Sequence, residues 1–339
     1  MHLYTSNSKY GVNKKWFFVY TISLIFSLIV LSFYNNYFRS KGYVATVVDS
    51  KDLWALQRSK VYRAGKTPLV FLGASRTLFG IDMKWVMNNM QEYYPVMLAI
   101  NGHYPLMALK DLSEDPAFKG VVIVDIDSRG LSKQNHFMQQ YYVDHYHDLW
   151  TPNKYIHQSI LSYLQSKVVF TNPDFGLLKL INRYLSGQGL PNKPNSSMQP
   201  NRNSKLDLEI VDSAILANNF YNILSQDLID NPAPPPEQWL SNLIQVEGWV
   251  DSIKSRGGDV IFYSPPVSGR QITLSEKGYP RHLYWDVFIR KIGVKGVLSE
   301  DIQGMEKFIL PDESHIDYRD KSRYTKTLFD YLKNKELLQ

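Results

Sequence analysis

Pro68-Leu-Val-Phe-Leu-Gly-Ala-Ser-Arg-Thr-Leu78 is an apolar run that ends in a small-residue turn carrying Ser75. Pro68 to Leu72 is short, continuous and flanked by breakers, the pattern of a strand buried on both faces of a parallel sheet. A second short piece lies far downstream, Pro311-Asp-Glu-Ser-His315. A serine hydroxyl needs a base to become a nucleophile, and histidine is that base near neutral pH. A carboxylate holds the imidazole tautomer, and Asp312 and His315, three residues apart, share a face if the segment makes a helical turn. The two pieces therefore read as halves of one acyl-transfer site. The rival reading is a turn serine, a helix cap and a surface histidine.

Working outward from Ser75, strand-like and helix-like stretches alternate. An amphipathic helix over 49–63, capped by Asp49 or Ser50, leads in. A helix follows from Asp82 and ends at Tyr94-Pro95. Val96–Ile100 is the second strand, Asn101–Pro105 a turn, and Pro105 opens a helix through Leu112. Gly120–Ile126 is the third strand, ending in Asp127-Ser128-Arg129-Gly130. After 237–256, with Leu240, Leu243, Val246, Val250 and Ile253 on one helical face, the fourth strand is Asp259–Tyr263. A helix over 274–292, a weak strand at Val294–Leu298 and a last helix bearing Tyr324, Leu328, Tyr331 and Leu332 complete the set. This spacing predicts an α/β three-layer sandwich around a parallel five-stranded sheet. In such sheets chemistry gathers at the carboxyl ends of the strands. Ser75, Asn101, Gly102, Asp127 and Ser264 all follow strands.

The alternation is interrupted by 131–234, read as a helical insertion with helices near 155–167, 174–186 and 206–228. Pro191–Ser204 reads as an exposed loop or linker and Asn231–Pro236 as a stiff polyproline turn. Asp144-His145-Tyr-His147-Asp148 has a metal-like look, but histidines two apart do not share a helical face. An exposed loop or lid is expected there, and no metal. The aromatic run 141–150 either stacks on sugar rings or packs the insertion.

Trp16–Tyr34 (WFFVYTISLIFSLIVLSFY) carries no charge and is long enough to cross a hydrocarbon core. Aromatics mark both ends. Lys9, Lys14 and Lys15 precede it and Arg39 and Lys41 follow, a bias that favours the N-terminus inside. A cleaved signal peptide is the rival, but no small-x-small site follows. The expected organisation is a cytoplasmic tail over 1–15, a single-pass signal anchor over 16–34, a lead-in over 35–64, and one α/β domain over 65–339. Apolar residues make up 44% of the chain, enough for such a core. The net charge is +6 with basic residues dispersed, which gives no sign of nucleic-acid binding. Cysteine is absent, so disulfides, thiolate metal sites and a thiol nucleophile are excluded.

The order of these pieces resembles the SGNH (GDSL-like) hydrolase and acyltransferase superfamily. Gly73-Ala74-Ser75-Arg76 stands where the family has Gly-Asp-Ser, Asn101-Gly102 matches the second block, and Asp312-x-x-His315 matches the last. The third block departs: Asp125-Ile-Asp127-Ser128-Arg129 lacks the usual asparagine. The resemblance covers roughly 65–130 and 237–335. It implies Ser75, His315 and Asp312 as catalytic residues and an oxyanion hole from Ser75, Gly102 and Asn101, with no cofactor. Ser264 is expected to line the cleft. Arg76 either holds an anionic group or makes a structural salt bridge. With its anchor, the chain looks most like the membrane-anchored branch that assists D-alanylation of teichoic acids or O-acetylation of alginate and other exopolysaccharides. That branch implies a bacterial inner-membrane protein with its domain on the periplasmic side. Its partners would be an acyl donor, a glycan acceptor and a membrane-embedded O-acyltransferase. A non-catalytic envelope protein of the same fold is the alternative.

Overall fold

The structure, a computed structural model, describes residues 14–62 and 65–338. Lys9 and most of the expected tail, and the end of the lead-in helix at Arg63, lie outside the described residues. In chain order the helices are α1 (Lys14–Ser40), α2 (Lys51–Arg58), α3 (Ser75–Gly80), α4 (Met83–Asn89), α5 (Leu106–Glu114), α6 (Gln140–Asp144) and α7 (Pro152–Lys167). They continue with α8 (Leu177–Leu185), α9 (Ser213–Asp230), α10 (Pro236–Ser241), α11 (Ile244–Ser255), α12 (Arg270–Gly278), α13 (Trp285–Ile292) and α14 (Lys321–Asn334). The strands are β1 (Thr67–Leu72), β2 (Tyr93–Met97), β3 (Val121–Asp125), β4 (Ser196–Met198), β5 (Ser204–Leu206), β6 (Asp259–Ser264) and β7 (Lys295–Leu298).

The chain divides into two units. The larger comprises Val47–Ser166 and Pro194 onward. It holds a five-stranded sheet in the order β2-β1-β3-β6-β7, with every neighbouring pair parallel. The continuous apolar runs of the strands are explained by the pleat. Val70 and Leu72 point into one core with Val122, Val124, Val260 and Phe262, covered by α5, α11 and α13. Leu69 and Phe71 point into the other with Met97, Ile123 and Ile261, covered by α4 and α14. Alternate side chains reach opposite faces, and both faces are buried, so polar residues such as Asp125, Asp259 and Ser264 stand only at the strand ends. The predicted three-layer α/β arrangement is what the chain adopts.

The smaller unit takes the chain up to Thr46 together with Lys167–Lys193. Helix α1 is long and apolar enough to cross a membrane. Phe38, Tyr43, Val169 and Phe175 form its own small core, with Tyr34, Phe170 and Leu180 packed on it.

Several boundaries differ from the sequence reading, each for a physical reason. Strand β2 begins at Tyr93 and runs through Pro95, instead of starting at Val96. Pro95 is admitted because β2 is an edge strand, where a missing N–H costs no ladder bond. The helix read over 274–292 is two helices, α12 and α13, parted at Tyr279-Pro280, since proline cannot occupy a helix interior. The single helix read over 237–256 is likewise α10 and α11, although Leu243, Val246, Val250 and Ile253 are buried as expected. Pro191–Ser204 is not merely an exposed loop. It contains most of the β4–β5 hairpin, and Arg202 within it is fully buried. Its guanidinium donates to Asp49 Oδ2 at 2.7 Å and to the Met97 carbonyl at 3.1 Å.

Candidate functional site

Strand β1 is an inner strand, with β2 on one side and β3 on the other, so the segments after these three strands meet at one rim. The chain leaves β1 through Gly73. A Cβ there would lie 2.8 Å from Asp125 Cβ and 2.9 Å from Thr77 Oγ1, so only glycine fits between β3 and the next helix. Ser75 is the first residue of α3, a short helix that the sequence reading had treated as a turn.

His315 comes to Ser75 from 240 residues away. Its Nε2 lies 2.8 Å from Ser75 Oγ, and its Nδ1 lies 2.8 Å from Asp312 Oδ2. Serine, imidazole and carboxylate thus stand in the order that proton removal from a hydroxyl requires. Ser75 is half-buried, while His315 and Asp312 are buried. The His315 ring is flanked by Phe79 and by Phe220 of α9, with ring centroids at 6.3 and 5.4 Å.

Asp312 and His315 do not lie on a helix, as their spacing had suggested. They form a tight turn in which Asp312 Oδ1 accepts the backbone N–H of Ser314 at 3.0 Å and of His315 at 2.7 Å. Glu313 inside the turn has φ +65°, a left-handed conformation uncommon for glutamate. The loop after β6 holds it: Ser268 N–H donates to the Glu313 carbonyl, and Arg270 contacts the Glu313 carboxylate at 3.2 Å. Burial pushes the Asp312 carboxyl up. Hydrogen bonds from the His315 ring, the imidazole charge and the two amides outweigh it and leave the group below its ordinary value.

The third block is occupied by charge. Arg76 donates to Asp127 Oδ2 at 3.0 Å and lies 3.8 Å from Asp125, so of the two readings of Arg76 the structure supplies the salt bridge. Thr77 Oγ1 donates to Asp125 Oδ2 at 2.7 Å. Burial raises Asp125 to about 6, against the pull of Arg76 and Thr77. For Asp127 burial also acts upward, but Arg76 and Arg129 win and hold it low. Arg129 extends the network to Asp227 of α9 at 2.6 Å and to the Tyr104 hydroxyl at 2.7 Å.

Asn101 and Gly102 lie in the tight turn after β2, where Ile100 N–H donates to the Gly73 carbonyl at 2.9 Å. Gly102 has φ +74°, and the space a Cβ would take there is open. One residue that the sequence reading missed joins the first and second blocks. Gln139 Nε2 donates to the Gly73 carbonyl at 3.1 Å and to the His103 carbonyl at 2.9 Å. Its side chain is fully buried and its Oε1 finds no hydrogen-bond partner. Nothing in the motif flags it, since it lies inside the insertion. Ser264 ends β6 at the same sheet edge.

The 144–148 segment is exposed at Asp144, His147 and Asp148, as expected, but it is not a loop. It continues α6 as one π-helical turn, His145–Leu149. His145 meets Asp52 at 2.7 Å and His147 meets Asp111 at 2.6 Å. Tyr142 and Tyr146 pack against the core, which gives the aromatic run its packing role. Among the described residues no group of three or more histidines and carboxylates is placed to hold a metal ion.

No protein-family profile matches the chain. No curated protein matches it by sequence. Among solved structures it is similar to a crystal structure of TesA, at 11% identity and a TM-score of 0.34, covering 79% of this chain and 99% of that one.

Proposed function

We propose that this protein is a membrane-anchored, extracytoplasmic serine acyltransferase or esterase acting on O-acyl groups, O-acetyl above all, of a cell-envelope or exported polysaccharide. The reading is carried by one observation, the unbroken line from Ser75 Oγ through His315 to Asp312. In the first half-reaction Ser75 Oγ attacks the carbonyl carbon of the acyl donor and its proton passes to His315 Nε2. The negative oxygen that forms is received by the backbone N–H groups of Ser75 and Gly102 and the side chain of Asn101. Collapse expels the donor's alcohol, which takes the proton from Nε2. In the second half-reaction a glycan hydroxyl, or water, gives its proton to Nε2 and attacks the acyl-serine; Nε2 then passes that proton to Ser75 Oγ as the acyl–oxygen bond breaks, and the serine is restored. Asp312 keeps the proton of Nδ1 in place throughout.

The apolar α1 supports the anchor, and the lysines before it support an N-terminus on the cytoplasmic side of a bacterial inner membrane. A membrane-embedded O-acyltransferase is the natural supplier of the acyl group.

A second reading, a non-catalytic protein that binds polysaccharide or an assembly partner, is favoured by the third block alone. Asp127 there offers carboxylate oxygens, already engaged by Arg76, where the SGNH pattern has an amide donor. Ser75→Ala separates the two. Loss of covalent labelling by a fluorophosphonate, together with a fall in envelope-glycan O-acetyl content, is expected for the enzyme. Full labelling of the variant sinks the nucleophile assignment. Unchanged acetylation in the Ser75→Ala strain, with loss only on deletion of the whole protein, favours the binder.

A further inference from the structure

Helix α8 shows an apolar face that nothing in its own unit covers. Leu178, Tyr184 and Leu185 are 78%, 83% and 76% exposed, and Leu177 and Ile181 are exposed beside them. At 100° per residue these five side chains fall on one face of the helix. Lys179 and Arg183 fall on the opposite face, where Lys179 meets Asp174 and Arg183 donates to the Gly189 carbonyl. Leu180, to the side, packs onto the small core of Phe38, Tyr43, Val169 and Phe175.

That core sits at one end of α1. Tyr34, in the C-terminal part of α1 and five residues before Arg39, donates its hydroxyl to the Phe175 carbonyl at 3.1 Å. Val169 N–H donates to Asn35 Oδ1 at 2.9 Å, and Arg39 donates to the Lys167 carbonyl at 2.7 Å. The segment bearing α8 is therefore fastened where the span ends, at the level of lipid headgroups. Around it the smaller unit carries Arg39, Lys41, Lys167, Lys179, Arg183 and Lys193 against a single carboxylate, Asp174.

We propose that α8 is a second membrane contact of this protein. It lies flat at the boundary between headgroups and acyl chains of an anionic bilayer, with Leu177, Leu178, Ile181, Tyr184 and Leu185 turned into the lipid. A helix with one apolar face, a basic back and an aromatic at the margin has the build of an interfacial helix. The surrounding excess of cations matches an anionic surface. The proposal rests on α1 being the span.

The chain has no cysteine, so single cysteines can carry a nitroxide label. Leu178→Cys, Leu185→Cys, Lys179→Cys on the opposite face, and Leu24→Cys inside α1 are made in the full chain. Each is reconstituted in vesicles of phosphatidylcholine and phosphatidylglycerol, and collision with oxygen and with a water-soluble nickel chelate is measured. The expected result is an oxygen-to-nickel accessibility ratio several-fold higher at 178 and 185 than at 179, with Leu24 in lipid. Nickel access at 178 and 185 while Leu24 stays in lipid overturns the proposal and leaves the span standing. Shielding of 178 and 185 from both reagents means that a protein, a second copy or another partner, covers the face, and also overturns it. Nickel access at Leu24 removes the span and the proposal together.

Discussion

Ser75 is placed by a strand and a helix, whereas His315 is placed by one carboxylate. The serine follows β1, buried on both faces, and the close fit of Gly73 against Asp125 and Thr77 fixes its exit. The histidine stands in irregular chain. There Asp312 does two things at once: Oδ1 ties two backbone amides into the turn, and Oδ2 meets the ring. Ser75 thus draws its position from the sheet as a whole. His315 depends on a few polar contacts and on a glutamate held in an unfavourable conformation. Damage to the first half is expected to show in stability, and damage to the second in turnover.

Asp312→Asn tests this most strongly. An asparagine Oδ1 still accepts the amides of Ser314 and His315, so the turn is expected to survive, with the melting temperature lowered only by what the carboxylate charge contributes. The ring loses its acceptor, and turnover is expected to fall on the order of 10⁴-fold, as when the tautomer is wrong. Asp312→Ala adds loss of the turn, with stability lower by about 1–3 kcal/mol in urea unfolding. Equal stability of the two variants would mean that Oδ1 does not hold the turn.

Gly73→Ala strikes the other half. The added methyl overpacks against Asp125 and Thr77, at a cost of about 1–3 kcal/mol. Fluorophosphonate labelling of Ser75 is expected to slow with it. A variant as stable as the parent would show that β3 yields at this point.

The two buried carboxylates also titrate in opposite senses. Asp125, raised to about 6 by burial, holds its proton more tightly in the folded chain than in the unfolded one. Between roughly pH 4 and its folded value the native state binds more protons, so this group makes stability fall as pH rises. Asp312 is shifted down, so the stability it contributes is present above about pH 4 and is lost as pH falls through its folded value. Asp125→Asn removes the first trend and keeps the second. Unfolding free energies across that range are expected to rise with pH more steeply than in the parent, by up to about 1.4 kcal/mol per pH unit. Identical pH profiles would mean that Asp125 titrates like an exposed acid.

Glu313→Gly has the smallest expected effect. Glycine relieves the left-handed conformation by roughly 1 kcal/mol. It forfeits the part-exposed contact with Arg270, worth about 0–1 kcal/mol. Stability is expected to stay within about 1 kcal/mol of the parent. A loss beyond twice that figure would make the Arg270 contact, not the backbone, the holder of the turn.

The same contrast explains what could be read before the structure. Strands β1, β3 and β6 were legible because both their faces are buried, and unbroken apolar runs such as Leu69–Leu72 follow directly; β7, Lys-Gly-Val-Leu and only half-buried, gave a weak signal. Ser75, Asp312 and His315 stood out because the right residue types came in the right order around those runs. The strand at Tyr93–Pro95 did not, since proline is read as a breaker and edge position is invisible in one sequence. Pro280 should have divided the helix over 274–292, and the amphipathic pattern on either side concealed it. The hairpin over 196–206 was hidden by its polarity: a buried Arg202 looks like a surface arginine until Asp49 is seen beside it. Gln139 had no signal at all, because its role comes from two carbonyls that only the fold brings together.

The outer margin of β2, partly covered by the buried Arg202, is a poor place for a second chain to join the sheet. Leu98 and Ile100 donate inward, toward Phe71 and Gly73, so the polar groups of Pro95 and Met97 turn outward. Pro95 has no N–H to offer, and the Met97 oxygen is already taken by Arg202. A foreign strand arriving at this border finds no donor at Pro95 and an acceptor already engaged at Met97. Each gap makes this border a poorer template for edge-to-edge pairing with another chain.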